Sequence, residues 1–375
     1  MGQEIYSGQE GITHLENFLK KQGAKNIILF SGKNSLNHMP ISKELFSSLK
    51  SFNLERFTEI YPNPTKENLD LALNFLKNKK FDMILAIGGG SVLDTAKISN
   101  FLFQNNLTID DYINNNFQNP KPANNLIAIP TTAGTGSEST QFATFYINEK
   151  KYSLDLPEIL PQHVILDPSF TSTLPAELTA QTGADALCHS IESFWSVKST
   201  EKSRELAYSA ISLLLKHLPN AVLKGDPQSR EKVLLAANYA GQAINITRTT
   251  AAHSVSYPMT SIFKIPHGQA VSVNLPYLFQ YNQNLTDNDC LDPRGPEFVT
   301  KRINELLNLF STQNGKSYLL DFFNSIGLKT KLMELDINKK DIPILVKNGF
   351  TPNRVKNNPR RVMQDSLTEM LTSAL

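Results

Sequence analysis

Cysteine is scarce: there are two in 375 residues. Cys188 and Cys290 cannot build a disulfide framework, and their scarcity fits a reducing cytoplasm rather than a stapled secreted fold. Long apolar runs are missing as well. No stretch approaches the roughly 18–20 residues of a membrane span. The opening MGQEIYSGQEG has no apolar core of a signal peptide, and Tyr6 stands where N-myristoylation needs Ser or Thr. Excess charge is absent: 37 Lys and Arg against 35 Asp and Glu leave +2. With no basic patch or run, nothing points to nucleic acid or a membrane surface as a partner. Repeats and low-complexity segments are lacking, and the Asn-rich stretch from Asn114 to Asn125 reads as a polar loop.

What is present is enough apolar sequence, 40% of the chain, to build a large core at a length that favours two domains. Residues 1–170 alternate helix and strand signals. Helical spacing covers Ile12 to Gln22, Ile41 to Phe52 and Asn68 to Lys80. Strand signals are NIILFSG, RFTEIY, FDMILAI and NLIAIP. Apolar strands that do not alternate with polar residues, separated by helices, predict a parallel sheet covered on both faces. From about Asp167 the pattern turns helical, with Pro175 as a helix-start residue. Stretches follow at Glu201 to Leu218, Arg230 to Ile246, Lys301 to Phe310 and Ser317 to Ile326. Residues 171–375 are therefore expected to form an all-helical domain.

Three stretches carry chemistry. In the first, the strand FDMILAI runs into Gly88, Gly89, Gly90 and Ser91 and then a helix, a turn in which backbone N–H groups can approach a phosphate at the positive end of a helix. In the second, the strand LIAIP leads into Thr131, Thr132, Ala133, Gly134, Thr135, Gly136 and Ser137, a loop of small hydroxyls. Either loop alone is also explained by a tight polar turn. Two of them, each after a strand end, point to one dinucleotide across the carboxyl edge of a sheet. The third stretch holds Asp185 and His189, spaced i, i+4 and so on one helix face, together with His253 and His267. One carboxylate and three imidazoles suit Fe(II) or Zn(II), and the sequence does not choose between them. Any one of these histidines alone reads more readily as a hydrogen-bonded core residue.

GGGSVLDTAK, PTTAGTGSE, DPSFTSTLPAELTAQTGADALCHSIES and PHG together resemble the iron-containing (group III) alcohol dehydrogenases, over nearly the whole chain. The resemblance implies an α/β N-terminal dinucleotide-binding domain and an all-α C-terminal domain, the fold shared with dehydroquinate synthase, with NAD(P) and the metal facing each other across a cleft. It implies Asp185, His189, His253 and His267 as metal ligands. It implies Gly32, Gly88, Gly89, Gly90, Ser91, Asp94, Thr131, Thr132, Thr135 and Lys151 as cofactor-binding residues. The reaction implied is hydride exchange between the nicotinamide and a carbonyl polarised by the metal; a homodimer and a cytoplasmic location are further expectations.

Two departures from the family pattern stand out. Tyr257 occupies the position, four residues after His253, where the family usually has a second histidine discussed as a proton relay. A phenol can still pass a proton, less readily near neutral pH given its reference pKa of about 10. Before His253, where an apolar Gly-rich run is usual, the chain reads Ile246-Thr247-Arg248-Thr249-Thr250. Guanidinium and hydroxyls match the geometry of an oxyanion. That run, with the NNP near the C-terminus, resembles the branch that reduces phosphonoacetaldehyde to 2-hydroxyethylphosphonate. The expectation is that Arg248, Thr249, Thr250 and Lys264 hold a small anionic aldehyde, with Arg248 and Tyr257 as the catalytic pair. Phe30-Ser31-Gly32-Lys33 offers no carboxylate to repel a 2′-phosphate, which favours NADPH over NADH. The rival readings are an alcohol dehydrogenase of neutral substrates, a dehydroquinate-synthase-like lyase, and a metal- or nucleotide-binding protein without turnover.

Overall fold

The computed structural model describes residues 3–123, 125–148 and 150–375. Met1 and Gly2 of the N-terminal reading and Asn124 of the Asn-rich stretch lie outside them. The chain divides into two compact units, Met1–Leu174 and Pro175–Leu375.

The first unit runs β1 (Glu4–Ser7), α1 (Gly11–Lys21), β2 (Asn26–Ser31), α2 (Ser42–Ser48), β3 (Asn53–Phe57), α3 (Lys66–Leu76), β4 (Met83–Gly88), α4 (Gly90–Asn105), α5 (Ile109–Ile113), β5 (Leu126–Pro130), β6 (Phe142–Ile147), β7 (Lys150–Asp155) and β8 (His163–Leu166). Six strands form one sheet in the order β1-β8-β5-β4-β2-β3, every neighbouring pair parallel. β2, β4 and β5 are buried on both faces, which is why their sequences are unbroken apolar runs. Ile27 and Leu29 of β2 pack with Leu15 of α1 and Leu45 of α2 on one face. Phe30 of β2 and Ala86 of β4 pack with Ala72 of α3 and Val92 of α4 on the other. β2 thus leads to one face and β4, its neighbour, to the opposite one. Such a reversal opens a crevice at the carboxyl ends of the two strands.

Two features differ from the expectation. The strand read as RFTEIY ends at Phe57 and begins earlier, at Asn53, because its register is set by pairing Phe30 with Phe57. β6 and β7 form an antiparallel hairpin outside the main sheet. Their mixed polarity gave no strand signal.

The second unit is helical: α6 (Ala176–Trp195), α7 (Glu201–Leu223), α8 (Pro227–Thr247), α9 (Ala251–Ser261), α10 (His267–Gln283), α11 (Pro296–Phe310), α12 (Gly315–Ser325), α13 (Ile342–Gly349), α14 (Pro352–Val355) and α15 (Gln364–Ser373). Contrary to the sequence reading, α7 is by length and composition alone apolar enough to cross a membrane. Leu206, Ala210, Leu214 and Leu218 make its buried stripe, and it packs on α6 and α8 in the manner of a core helix. α10 and α12 meet closely at Gly315, where a Cβ would stand 2.2 Å from the ring of buried Phe279. Gly315→Ala is expected to lose about 1–3 kcal/mol of stability from overpacking, read as a lower midpoint of denaturant unfolding; an unchanged midpoint would show that the ring yields freely.

Candidate functional site

α6 presents Asp185 and His189 one turn apart on a buried face. His253 comes from the first turn of α9, and His267 is the first residue of α10. All three imidazoles converge on one carboxylate oxygen. From Asp185 Oδ1, the Nε2 atoms of His253, His267 and His189 lie 3.4, 3.8 and 3.9 Å away. One ligand atom each from Asp185, His189 and His253 falls within 4.8 Å of the others. His267 keeps 30% of its side chain exposed, so it marks the side that solvent reaches. α10 starts this close to α6 because Gly268 has no side chain; a Cβ there would stand 1.9 Å from the carbonyl oxygen of Gln181.

Asp185 Oδ1 and His253 Nε2 are buried and neither makes a hydrogen bond. Orphaned polar atoms of this kind are rare in a native interior. Burial alone would raise the Asp185 pKa, but the imidazoles of His189, His267 and His253 hold its carboxyl well below the usual carboxylate range. An ionised carboxylate with imidazole nitrogens aimed at the same point is the donor set of a divalent metal, and the residues present fit one.

A residue that sequence reading missed supports this cluster. Glu192, fully buried on α6, lies seven residues after Asp185. Its Oε2 contacts His253 Nδ1. Its Oε1 accepts from Thr250 Oγ1 at 2.5 Å and from the backbone N–H of Ala252 at 2.9 Å and of Thr250 at 3.2 Å. One carboxylate therefore caps the N-terminus of α9 and fixes the ring of His253 through its far nitrogen. Burial lowers the His253 pKa, but the charges of Glu192 and Asp185 outweigh it and push it up to about 9. The i, i+7 spacing from Asp185 was the available signal.

The expected substrate residues divide. Thr250 is fully buried, donates to Glu192 and accepts from Trp195 Nε1 at 3.4 Å. Its hydroxyl is engaged in the support of His253. Thr249 is buried, and its carbonyl accepts from Asn357 Nδ2 at 3.1 Å. The NNP motif is thus tied to the TRTT run. Arg248 is half-buried, caps α8 with φ at +61°, and donates from Nη1 to the carbonyl of Asn245. Lys264 is exposed on the α9–α10 turn, with Nζ 2.5 Å from the Ser261 carbonyl. The Tyr257 ring lies parallel to that of His267, 6.2 Å between centroids.

In the first unit the glycine turn and the Thr/Gly/Ser loop are packed together. None of Gly88, Gly89 and Gly90 has positive φ. Their requirement is room: Cβ atoms on Gly89 and Gly90 would stand 3.2 and 3.0 Å from the side chains of Thr132 and Thr135. Thr131 N–H donates to Gly88 O at 3.0 Å, and Thr135 Oγ1 accepts from Ser137 N–H at 3.2 Å. Ser91 Oγ accepts from Asn63 N–H at 3.3 Å. Asp94, one of the expected cofactor residues, accepts from Ser137 Oγ at 2.5 Å and from Thr144 N–H at 2.9 Å. Gly32 accepts from Arg56 through its carbonyl, and Lys151 sits half-buried on β7.

Lys97, three residues after Asp94, completes this staple. Its fully buried Nζ donates to the carbonyls of Phe142, Thr140 and Ser137 at 2.6, 2.8 and 2.9 Å. Burial lowers its pKa to about 8, despite nearby Asp94, Glu138 and Asp155.

Two outcomes follow from these contacts. Glu192→Gln should weaken Zn(II) affinity by roughly 10–100-fold in calorimetric titration of the apoprotein; unchanged affinity would remove Glu192 from the metal site. For Lys97, the folded state releases its proton near pH 8 and the unfolded state only near 10.5. Stability therefore rises across that window, where the unfolded chain binds the extra proton. The unfolding free energy of the protein minus that of Lys97→Met should grow from pH 8 to pH 10 in guanidinium titrations, and a difference that falls would contradict the burial of a charged lysine.

Comparison with known proteins covers both units of the chain. The iron-containing alcohol dehydrogenase family matches residues 2–168, and the C-terminal part of the Fe-containing alcohol dehydrogenase family matches residues 179–375. The chain is 28% identical over 373 residues to the NAD-dependent methanol dehydrogenase of Bacillus methanolicus, covering 98% of this chain and 97% of the relative. It is 31% identical over 325 residues to the phosphonoacetaldehyde reductase of Streptomyces viridochromogenes, covering 83% and 81%. Among solved structures, the sulfoacetaldehyde reductase of Bifidobacterium kashiwanohense in complex with NAD+ aligns with a TM-score of 0.88 at 27% identity, covering 99% of this chain and 96% of that one.

Proposed function

The chain belongs to the iron-containing alcohol dehydrogenase family, and we propose that within it the protein reduces a small anionic aldehyde, phosphonoacetaldehyde, to 2-hydroxyethylphosphonate with NADPH. The observation that carries this reading is Arg248. It stands five residues before His253 in a left-handed backbone conformation that a non-glycine residue adopts at a cost of about 1–3 kcal/mol. The next carbonyl, that of Thr249, is held by Asn357, so the strap that bears Arg248 is fixed at both ends, by α8 and by the NNP motif. A guanidinium flanked by threonine hydroxyls, on a strap held in place, matches the geometry of an oxyanion. The names of two relatives, a phosphonoacetaldehyde reductase and a sulfoacetaldehyde reductase, both denote aldehydes that carry an oxyanion.

A divalent metal, Fe(II) or Zn(II), held by Asp185, His189, His253 and His267 would polarise a carbonyl oxygen, and bound nicotinamide would supply the hydride. The protein's own groups do the rest. Glu192 holds His253 Nδ1, which leaves Nε2 directed at the cluster. Arg248, with Thr249 beside it, grips the phosphonate and so orients the aldehyde. The Tyr257 phenol, parallel to His267 on the side that solvent reaches, gives its proton to the developing alkoxide and recovers one from water. The turn Phe30-Ser31-Gly32-Lys33 presents no carboxylate to a 2′-phosphate, which supports NADPH. The protein is proposed to work as a homodimer in the cytoplasm, with Cys188 and Cys290 as free thiols.

Methanol as the named substrate of one relative favours a second reading, oxidoreduction of neutral short-chain alcohols. Family membership leaves the lyase reading without support. The two dehydrogenase readings separate on Arg248→Ala. Assayed with phosphonoacetaldehyde and with propanal, the variant should lose about 10–100-fold in kcat/KM on the phosphonate only, the worth of a charge-assisted hydrogen-bonded pair. Equal losses on both aldehydes would favour the neutral substrate.

A further inference from the structure

α9 faces two ways. His253 meets Asp185 and Glu192 of α6. Ala252 and Val255 instead line a small cavity bounded by Leu278 of α10 and by Leu367 and Leu371 of α15. The two α15 leucines are spaced i, i+4 and so form one stripe. Small side chains leave the space open: Ala251 and Ala374 also line it.

One polar side chain interrupts this apolar wall with a bond unmade. Asn274 of α10 lines the cavity and is 6% exposed. Its Nδ2 donates to the Ala270 carbonyl at 2.8 Å and to Met259 Sδ at 3.2 Å. Those bonds set the orientation of the amide, because a flip would bring Oδ1 against the Ala270 carbonyl. Oδ1 is then buried with no hydrogen bond among the described residues. An acceptor hidden from water without a donor is costly, and native interiors seldom keep one.

The walls bound what can satisfy it. The residues lining the cavity carry no charge, so an ion would enter without a counter-charge. A water has two donors and two lone pairs and is held by two to four polar partners. Beyond Asn274 the only other polar side chain on the wall is the Tyr277 phenol. A hydroxyl on a short alkyl chain fits better. Its single donor goes to Oδ1, and its carbons lie against Val255, Leu367 and Leu371.

We propose that this cavity binds a short-chain alcohol whose hydroxyl donates to Asn274 Oδ1. It is a second alcohol site, on the face of α9 turned away from the metal cluster, and it does not depend on which aldehyde the enzyme reduces.

The test titrates 2-fluoroethanol into the metal-loaded enzyme, without nicotinamide, and follows the fluorine resonance. Saturable binding with a Kd of roughly 1 mM is expected for so small a ligand. 1,2-Difluoroethane has the same size and no donor, and it should bind about 10-fold more weakly, the worth of one hydrogen bond. Asn274→Leu keeps the volume and removes the acceptor, and it should cost 2-fluoroethanol a similar factor. Ala374→Leu fills the cavity and should abolish saturation. Stripping the metal with a chelator should leave the titration as it was. Equal binding of the two probes, or wild-type affinity in the variants, would overturn the site. Loss of binding on chelation would also overturn it, because the alcohol would then be on the metal. If Asn274→Leu does not fold, Ala374→Leu and the probe without a donor decide the matter. A lone water still on Oδ1 in crystals held at saturating 2-fluoroethanol would sink the proposal as well.

Discussion

A single buried carboxylate ties the helical unit together. Glu192 has no exposure to water, so its charge must be met entirely by protein. The ring of His253, the hydroxyl of Thr250 and backbone N–H groups at the start of α9 meet it. The cost of leaving any of that unsatisfied is what fixes α9 against α6. His253 then has one orientation, and its Nε2 joins the nitrogens gathered about Asp185 Oδ1. The strap before α9 inherits the constraint. Thr250 is anchored at one end, α8 ends at the other, and Asn357 holds Thr249 between them. Arg248 takes a conformation it would not choose alone because both its neighbours along the chain are held.

The α/β unit uses the same device with a cation. Lys97 is as deeply buried as Glu192 and has carbonyl oxygens where Glu192 has N–H groups. With Asp94 it binds the loop beyond Thr135 to α4, while Thr132 and Thr135 fill the space that Gly89 and Gly90 leave open. The glycines serve close packing between two loops, and protein–protein contacts hold the start of α4, the expected phosphate position, in place. Preorganisation of this kind lowers the cost of binding. Arg56 extends the pattern to the end of β2, where it orders a turn through neutral acceptors.

Much of this was legible in the residues. The 3.6 period placed Asp185 and His189 on one face. Strand, glycine and helix in FDMILAIGGGSVLDTAK fixed the first loop. Sequence reading stopped where a side chain's partner lies far along the chain. Glu192 reads as a polar interruption of an apolar helix until α9 closes over it. Arg56 reads as the solvent-facing member of a strand until Ser31 and Gly32 are seen beneath it. Small polar residues near a site, Asp94 and Thr250 among them, look alike in sequence whether they face a ligand or hold the wall. β6 and β7 escaped because FATFYI and KYSLD lack the alternation that one buried face imposes.

Local order follows from sequence alone: the periodicity of helices, the burial of the parallel strands, the glycine turns and the placing of Asp185 and His189 on one helix face. These depend on backbone geometry and on side chains within one or two turns of each other. The register of β3, the support of His253 by Glu192, the staple of Lys97 and the contacts of Arg56 with the turn after β2 were decided only by tertiary structure. Each is a polar group satisfied, or left unsatisfied, by residues tens of positions away, and burial is what makes that choice of partner binding.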